Sequence, residues 1–359
     1  RANALRAALS GRLLSHSQFT AKETYDVLDL CLSCKACKTE CPSSVDMAKI
    51  KTEFLAQYYE AHGTPLRARV FGHIHTMNRL GSRVAPLANF MLRSPLANVG
   101  KRAIGIHPKR EIAPFARQTF EEWFRARQPS APLGTRGVAV YYHDTFTNYN
   151  YPEIGKAAVR LLEAAGYTVE IVRQRACCGR PMLSKGLVEG ARKLARRNVE
   201  ALADYARRGV PIVGTEPSCI LTLRDEYADL LPDDPAVAQI AANSFMIDEF
   251  LAGLAENGEL DITWREEPGP KVLFHGHCHQ KALIGVGPSM AVLRAAGCDA
   301  EESGAGCCGM AGSFGYEAEH YEVSRKIGAE RLFPKVEAQS AGTLIAVAGV
   351  SCREQIGHF

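Results

Sequence analysis

No apolar run in this 359-residue sequence approaches the roughly 20 residues that a membrane-spanning helix requires. Its first residues, RANALRAALSGRLL, lack both an initiator Met and the apolar core of a signal peptide. The chain therefore reads as soluble, as a piece of a longer protein, and as cytoplasmic, with peripheral contact at the inner face of a membrane as its one membrane relation. No Gly-rich dinucleotide fingerprint follows a strand, and there is no P-loop and no nucleophile elbow, so nothing indicates that this segment binds a flavin or nicotinamide itself. Net charge is only +4, and the cations Arg192, Lys193, Arg196 and Arg197 read as the solvated face of one helix. Nucleic acid is not an expected partner. Cysteine is absent from 42 to 176 yet totals 12. Without an export signal, and with 46% hydrophobic content for two or three cores, a disulfide framework is the poorer reading. Reduced thiolates acting as metal ligands are the better one.

The present residues divide the chain into three stretches, 1–130, 131–268 and 269–359. The first reads as mostly helical: Asp46 caps a helix carrying Ile50, Phe54, Leu55 and Tyr58, and Gly63 closes it. The piece from Pro114 to Arg127, with Phe115, Phe120, Trp123 and Phe124, reads as core or as a docking face. Gln128-Pro129-Ser130-Ala131-Pro132 reads as a linker. From 138 onward the sequence repeats itself. An apolar run (Val138 to Tyr142, then Val272 to Phe274) leads to His143-Asp144 in one copy and His277-Cys278 in the other. A helix opened by Pro152 or Pro288 and closed by Gly166 or Gly297 follows, then Cys177-Cys178-Gly179 or Cys307-Cys308-Gly309. Each copy continues with a long helix, 188–208 and about 316–332, and ends in an apolar strand running into Ser-Cys: Ile212 to Thr215 before Cys219, Leu344 to Val350 before Cys352. Cys177 lies 33 positions after Asp144 and Cys307 lies 29 after Cys278; Cys219 and Cys352 follow their Cys-Cys pairs by 41 and 44. Alternating strands and helices imply a parallel α/β sheet in each copy, with ligands gathered beyond the carboxyl ends of the strands.

Cys31-x2-Cys34-x2-Cys37-x3-Cys41-Pro42 has the spacing of bacterial ferredoxins. Thiolates three residues apart on a tight loop can wrap the corners of an iron-sulfur cube, whereas zinc is normally held by two separated Cys-x2-Cys pairs. Either all four cysteines hold one 4Fe-4S cluster, or Cys41 and a distant Cys exchange duties, as they do in two-cluster ferredoxins. The Cys-Cys-Gly pairs suit different irons of one cluster or redox chemistry, because a disulfide across one peptide bond is strained. Glycine beside them lets backbone N–H groups aim at sulfur. In the second copy Gly304, Gly306, Gly312 and Gly315 join Gly309. His275 and His279 share a face toward this region, for hydrogen bonding to ligands or as a solvent-lined loop. Cys298 stands where the first copy has Tyr167 and reads as packing.

The repeated Cys-Cys-Gly unit resembles the cysteine-rich domain found twice in the B subunit of heterodisulfide reductase, in the C subunit of anaerobic glycerol-3-phosphate dehydrogenase and in the iron-sulfur subunit of glycolate oxidase. With the ferredoxin run ahead of it, nearly the whole chain looks like the C-terminal half of bacterial fused FAD-linked oxidase and iron-sulfur proteins, which are D-2-hydroxy acid dehydrogenases. That resemblance implies FAD on an upstream domain or partner, electron relay to a quinone or soluble acceptor, and no complete active site in this segment. It implies a ligand set of Cys278, Cys307, Cys308 and Cys352 in the second copy, although Gln355 replaces the family's last Cys. The first copy retains Cys177, Cys178 and Cys219 as candidates, with Asp144 in place of the leading Cys and Thr222 in place of the last. It binds metal only if Asp144, a water or Cys41 completes the set; otherwise it is a vestigial half that keeps its fold. A heterodisulfide-reductase-like thiol/disulfide enzyme and a zinc-stabilised interaction module are the rival readings.

Overall fold

A computed structural model describes residues 2–10, 20–128, 134–172, 174–262, 264 and 269–359. The linker expected around 128–132 lies, apart from Gln128, outside them. Its architecture is α/β, with two wholly parallel sheets. The first contains β1 (Val138–Tyr141), β2 (Thr168–Ile171), β3 (Ile212–Gly214) and β4 (Ser244–Met246) in the order β2-β1-β3-β4. The second contains β5 (Lys271–His275), β6 (Asp299–Glu302) and β7 (Leu344–Val347) in the order β6-β5-β7. In both, the opening strand is central and its two successors flank it, with Val140 opposite Ile212 and Leu273 opposite Ile345. The repeat legible in the residues is thus a repeat of topology. β4 has no counterpart in the second sheet and was not anticipated.

The first sheet is covered on both faces, as parallel sheets require. One face meets the helix Val188–Arg207 through Ala191, Ala195, Val199 and Leu202. The other meets the helices Pro152–Ala164 and Phe120–Ala126. Thr119 and Glu122 form a reciprocal capping box that starts the latter helix, and Phe120 is fully buried edge-on to Tyr141 at 5.4 Å. Phe120 is therefore core, with Trp123 and Phe124 partly buried against the same cluster, whereas Phe115 lies outside it.

Boundaries differ where capping chemistry outweighs apolar pattern. Asp46 caps Met47–His62 by accepting from the Ala48 and Lys49 N–H groups, and Gly63 closes it, as expected. β7 stops at Val347 rather than Val350, because Val350 already begins the helix Val350–His358. The second long helix runs from Tyr321 to Glu337 and follows two short 3-10 turns, so it starts five residues later than its pattern suggests. The helices Leu66–Gly72, Ile74–Arg83, Ala85–Arg93 and Leu96–Ala103 complete the N-terminal third. No helix among the described residues is long and apolar enough to cross a membrane.

Candidate metal centres

The run from Cys31 to Cys41 begins where the helix Lys22–Asp29 ends, the Cys31 N–H donating to the Leu28 carbonyl at 2.8 Å. Left-handed backbone at Ser33 (φ 50°), Lys35 (φ 62°) and Ser44 (φ 51°) curls it, and the short helix Ala36–Glu40 carries Cys37. Its thiols meet N–H groups: Met47 donates to Cys37 Sγ at 3.3 Å. The N–H groups of Val45, Ser43 and Ser44 pull the Cys41 thiol below its usual range. Burial pushes the Cys34 thiol up, and the charges of Cys278, Cys31 and Cys37 add to the rise. Cys278 of the second copy lines the same cavity as Cys31 and Ser33 of the loop.

Tertiary contacts clamp that loop between both copies. Lys35 is buried, and its ammonium meets Asp46 at 3.1 Å, Asp225 at 2.5 Å and Glu226 at 2.8 Å. Burial works against the charge on Asp225, but hydrogen bonds from Lys35 and Lys49 hold its carboxyl far below the ordinary range. On the other side, His279 Nε2 lies 3.0 Å from the Ser33 carbonyl, and Thr39 Oγ1 donates to the Ala282 carbonyl at 3.2 Å. Spacing along the chain carried no hint of Asp225 or Glu226 in this role. A buried Lys inside a cysteine loop was the one available signal.

In the second copy the four expected thiols converge. All four are free thiols, hydrogen-bonded in a chain from Cys278 to Cys307, Cys307 to Cys308 and Cys308 to Cys352. Its bond to Cys307 and its burial push Cys278 well above the usual thiol range. The hydrogen bond with Cys278 lowers Cys307, but the one with Cys308 and burial outweigh it and push the thiol up to about 12. Such crowded, water-excluded thiols stay neutral unless a cationic centre draws off their protons, so this donor set fits a metal or iron-sulfur group. The Gly309 N–H reaches Cys307 Sγ at 3.4 Å. Where the family's last Cys is missing, Gln355 turns away and donates to the Ser324 carbonyl at 3.1 Å.

Cys177, Cys178 and Cys219 also meet, with Cys178 Sγ 3.2 Å from Cys219 Sγ. Asp144 is engaged in a helix cap: its carboxylate accepts from the Phe146 and Thr147 N–H groups at 2.7 and 3.0 Å and from the Thr147 hydroxyl, starting the helix Thr145–Tyr149. Thr222 is likewise committed, donating to the Ser218 carbonyl at 2.7 Å. His275, His277 and His279 are all buried, which overturns the solvent-lined alternative. His275 Nδ1 is 2.9 Å from Ser303 Oγ, and His277 Nδ1 accepts from the His279 N–H to cap the helix Cys278–Leu283. Burial lowers His275 to about 3 and His277 to about 4, so both rings are neutral. Cys298, read as packing, is half-buried in the turn before β6.

Between the loop and both copies lies a cavity of about 380 Å3. Cys31, Cys219 and Cys278 reach its wall, together with Glu216 and apolar Ile74, Met77 and Phe314. Glu216 stitches the copies together by accepting from the Val350 N–H at 2.8 Å, and burial and then the Asp144 charge raise its carboxyl to about 7.

Comparison with known proteins finds the family described as "CCG: Cysteine-rich domain" twice, over residues 140–224 and 272–357. The chain is 29% identical over 330 residues to the C subunit of anaerobic glycerol-3-phosphate dehydrogenase from Escherichia coli (strain K12), covering 88% of this chain and 78% of that protein. It is 27% identical over 348 residues to D-2-hydroxyglutarate dehydrogenase of the same strain, covering 93% of this chain but only 33% of that enzyme. Lactate utilization protein A of Halalkalibacterium halodurans is 27% identical over 215 residues, which are 58% of this chain and 83% of that protein. The chain thus spans about a third of the length of the D-2-hydroxyglutarate dehydrogenase it matches. Two of these three are dehydrogenases or dehydrogenase subunits, which supports a redox role.

Proposed function

We propose, from the two matches to the cysteine-rich domain and the cysteine run ahead of them, that this chain is the iron-sulfur electron-transfer module of a flavin-dependent D-2-hydroxy acid dehydrogenase. Lactate, glycolate and 2-hydroxyglutarate are the substrate type, oxidised on a flavin domain or subunit outside this segment. Electrons leave the reduced flavin one at a time, and this chain carries them to a quinone or a soluble acceptor. Three units share the work: 1–130, 131–268 and 269–359.

Cys31, Cys34, Cys37 and Cys41 would hold a 4Fe-4S cluster, and Cys278, Cys307, Cys308 and Cys352 a second iron-sulfur group. When bound, such groups accept and release single electrons at potentials set by burial and by N–H donors to sulfur. The Met47 and Gly309 N–H groups are those donors on Cys37 and Cys307. Lys35 and His279 hold the loop against the two copies. The first copy offers three thiols and a carboxylate committed to a helix cap, so it serves chiefly as the mount for that loop. The cavity walled by Cys31 and Cys278 has the size and apolar lining of a small-acceptor site.

The observation that carries this reading is the approach of the two thiol sets: His279, next to Cys278, lies 3.0 Å from the Ser33 carbonyl, and Cys31 and Cys278 wall the same cavity although 247 positions separate them. Anaerobically purified protein should contain iron and acid-labile sulfide; zinc without sulfide means an interaction module instead. Stepwise reduction followed by EPR should show one set of signals lost in Cys34→Ser and another in Cys278→Ser. If Cys278→Ser leaves every signal untouched, the two-site relay is wrong. Turnover of a disulfide substrate with reduced viologen would favour a thiol/disulfide enzyme.

A further inference from the structure

Between residues 61 and 110 there are nine Lys and Arg and not one Asp or Glu. The whole chain is only +4, so everything outside this stretch sums to −5. The positive excess therefore lies here, and not on the helix Val188–Arg207. The same stretch holds nine of the fifteen large apolar side chains left exposed among the described residues: Leu66, Met77, Leu80, Val84, Leu87, Phe90, Met91, Leu96 and Val99. Met77, Leu80, Val84, Leu87 and Met91 recur at alternating spacings of three and four, the period of one helical face. Phe90 is 70% exposed and Val99 66%. Arg69, Arg79, Arg83, Arg93 and Arg102 are exposed among them. Ordinary surfaces scatter such side chains singly.

We propose that the outer face of Ile74–Arg83, Ala85–Arg93 and Leu96–Ala103 is a docking surface for a lipid bilayer with anionic headgroups, entered by Leu87 and Phe90 and flanked by Arg79, Arg83 and Arg93. An apolar face on helices that carry cations and no acid is the make-up of helices that lie in a membrane interface. A nucleic-acid surface would not expose nine large apolar side chains. A protein interface usually carries a polar rim of both signs, and this stretch has no acid. The inner sides of the same helices line the cavity through Ile74 and Leu92, and Met77 is both exposed and cavity-lining. Met77 thus belongs at once to the outward stripe and to the wall of the cavity that Cys31 lines.

The test is cosedimentation of the full chain with phosphatidylcholine vesicles, with and without phosphatidylglycerol. Binding should require phosphatidylglycerol and weaken with salt. It should fall about fivefold for each of Arg79→Gln and Arg83→Gln. The double variant Leu87→Glu/Phe90→Glu should not bind, whereas Leu344→Glu, at an exposed apolar position outside these helices, should bind as the parent does. The substituted residues are exposed, so circular dichroism and Tm should not change. Vesicle binding that ignores both headgroup charge and the double variant overturns the proposal. So does an absence of vesicle binding accompanied by an oligomer that the double variant dissociates, which assigns the stripe to a second copy. Protection of the stripe from hydrogen exchange by a flavoprotein partner and not by vesicles assigns it to a protein. None of these readouts involves electron transfer, so failure here leaves the redox reading standing.

Discussion

Lys35 is the residue on which the cysteine loop turns. Its left-handed backbone sets the curl between Cys34 and Cys37, and its fully buried ammonium serves three carboxylates. A buried ion network contributes little net stability while complete, but removing one member strands the others in a low-dielectric site. Lys35→Met should therefore destabilise the protein by about 3–5 kcal/mol in urea unfolding. Asp225→Asn should cost less, because Asp46 and Glu226 still face the ammonium. The reverse order would mean that Lys35 acts mainly through its backbone. Asp144 and Gln355 show the complementary behaviour: each stands where a thiol was expected, and each is occupied by backbone partners, Asp144 at a helix cap and Gln355 at the Ser324 carbonyl.

At the scale of elements, the glycine after each Cys-Cys pair has two duties of which the residues announced one. The expected approach of an N–H to sulfur exists at Gly309. The second duty is to let the Cys-Cys turn press against the long helix that follows. Gly309 has φ +93°, and a Cβ there would sit 2.3 Å from the Ser324 carbonyl. Gly179 has φ +89°, but a Cβ there would find Ala191 Cβ at 3.4 Å, an ordinary contact. Gly309→Ala should lower stability by about 3 kcal/mol or more, combining backbone strain with a clash, and Gly179→Ala by only about 1–2 kcal/mol. Equal urea midpoints for the two would refute the clash. The strand-helix order, the Pro openings and the Gly stops were legible because each is a local preference. β4 was not, since three residues with no strong apolar run join the sheet only by pairing with β3.

At the scale of the whole molecule, one network ties all parts together around His320. Its Nε2 meets Asp29 at 3.0 Å, just before the cysteine loop, and its Nδ1 meets Glu317 at 3.0 Å. Lys185 and Arg67 also reach Glu317, Lys51 bonds the Asp29 and Cys31 carbonyls, and Phe314 stacks on the ring at 4.1 Å. Burial opposes the imidazolium, but the bonds to Asp29 and Glu317 raise His320 to about 9 from 6.5. A base whose pKa rises on folding adds stability that is complete below about pH 6.5 and lost as pH climbs through about 9. The contribution is about 2 kcal/mol after allowance for screening. Tm should decline between those limits in the parent, and His320→Gln should remove that part of the slope. A variant with the same slope would place the titration elsewhere.

By itself the sequence determined the α/β class, the duplication and the cysteine run, and it placed Cys278 and Cys352 at strand ends; that Cys307 and Cys308 join them was implied by the family resemblance. Helix stops and strand alternation follow from short-range backbone preferences, and parallel βαβ topology delivers strand ends to one edge. Only the tertiary structure decided that the loop sits between the two copies, that Asp144 caps a helix, that the three histidines are buried and neutral, and that a cation-edged apolar stripe faces outward. Each of those depends on partners far away along the chain or on which side of a helix its neighbours leave open, and helical period alone does not distinguish a buried face from a bare one.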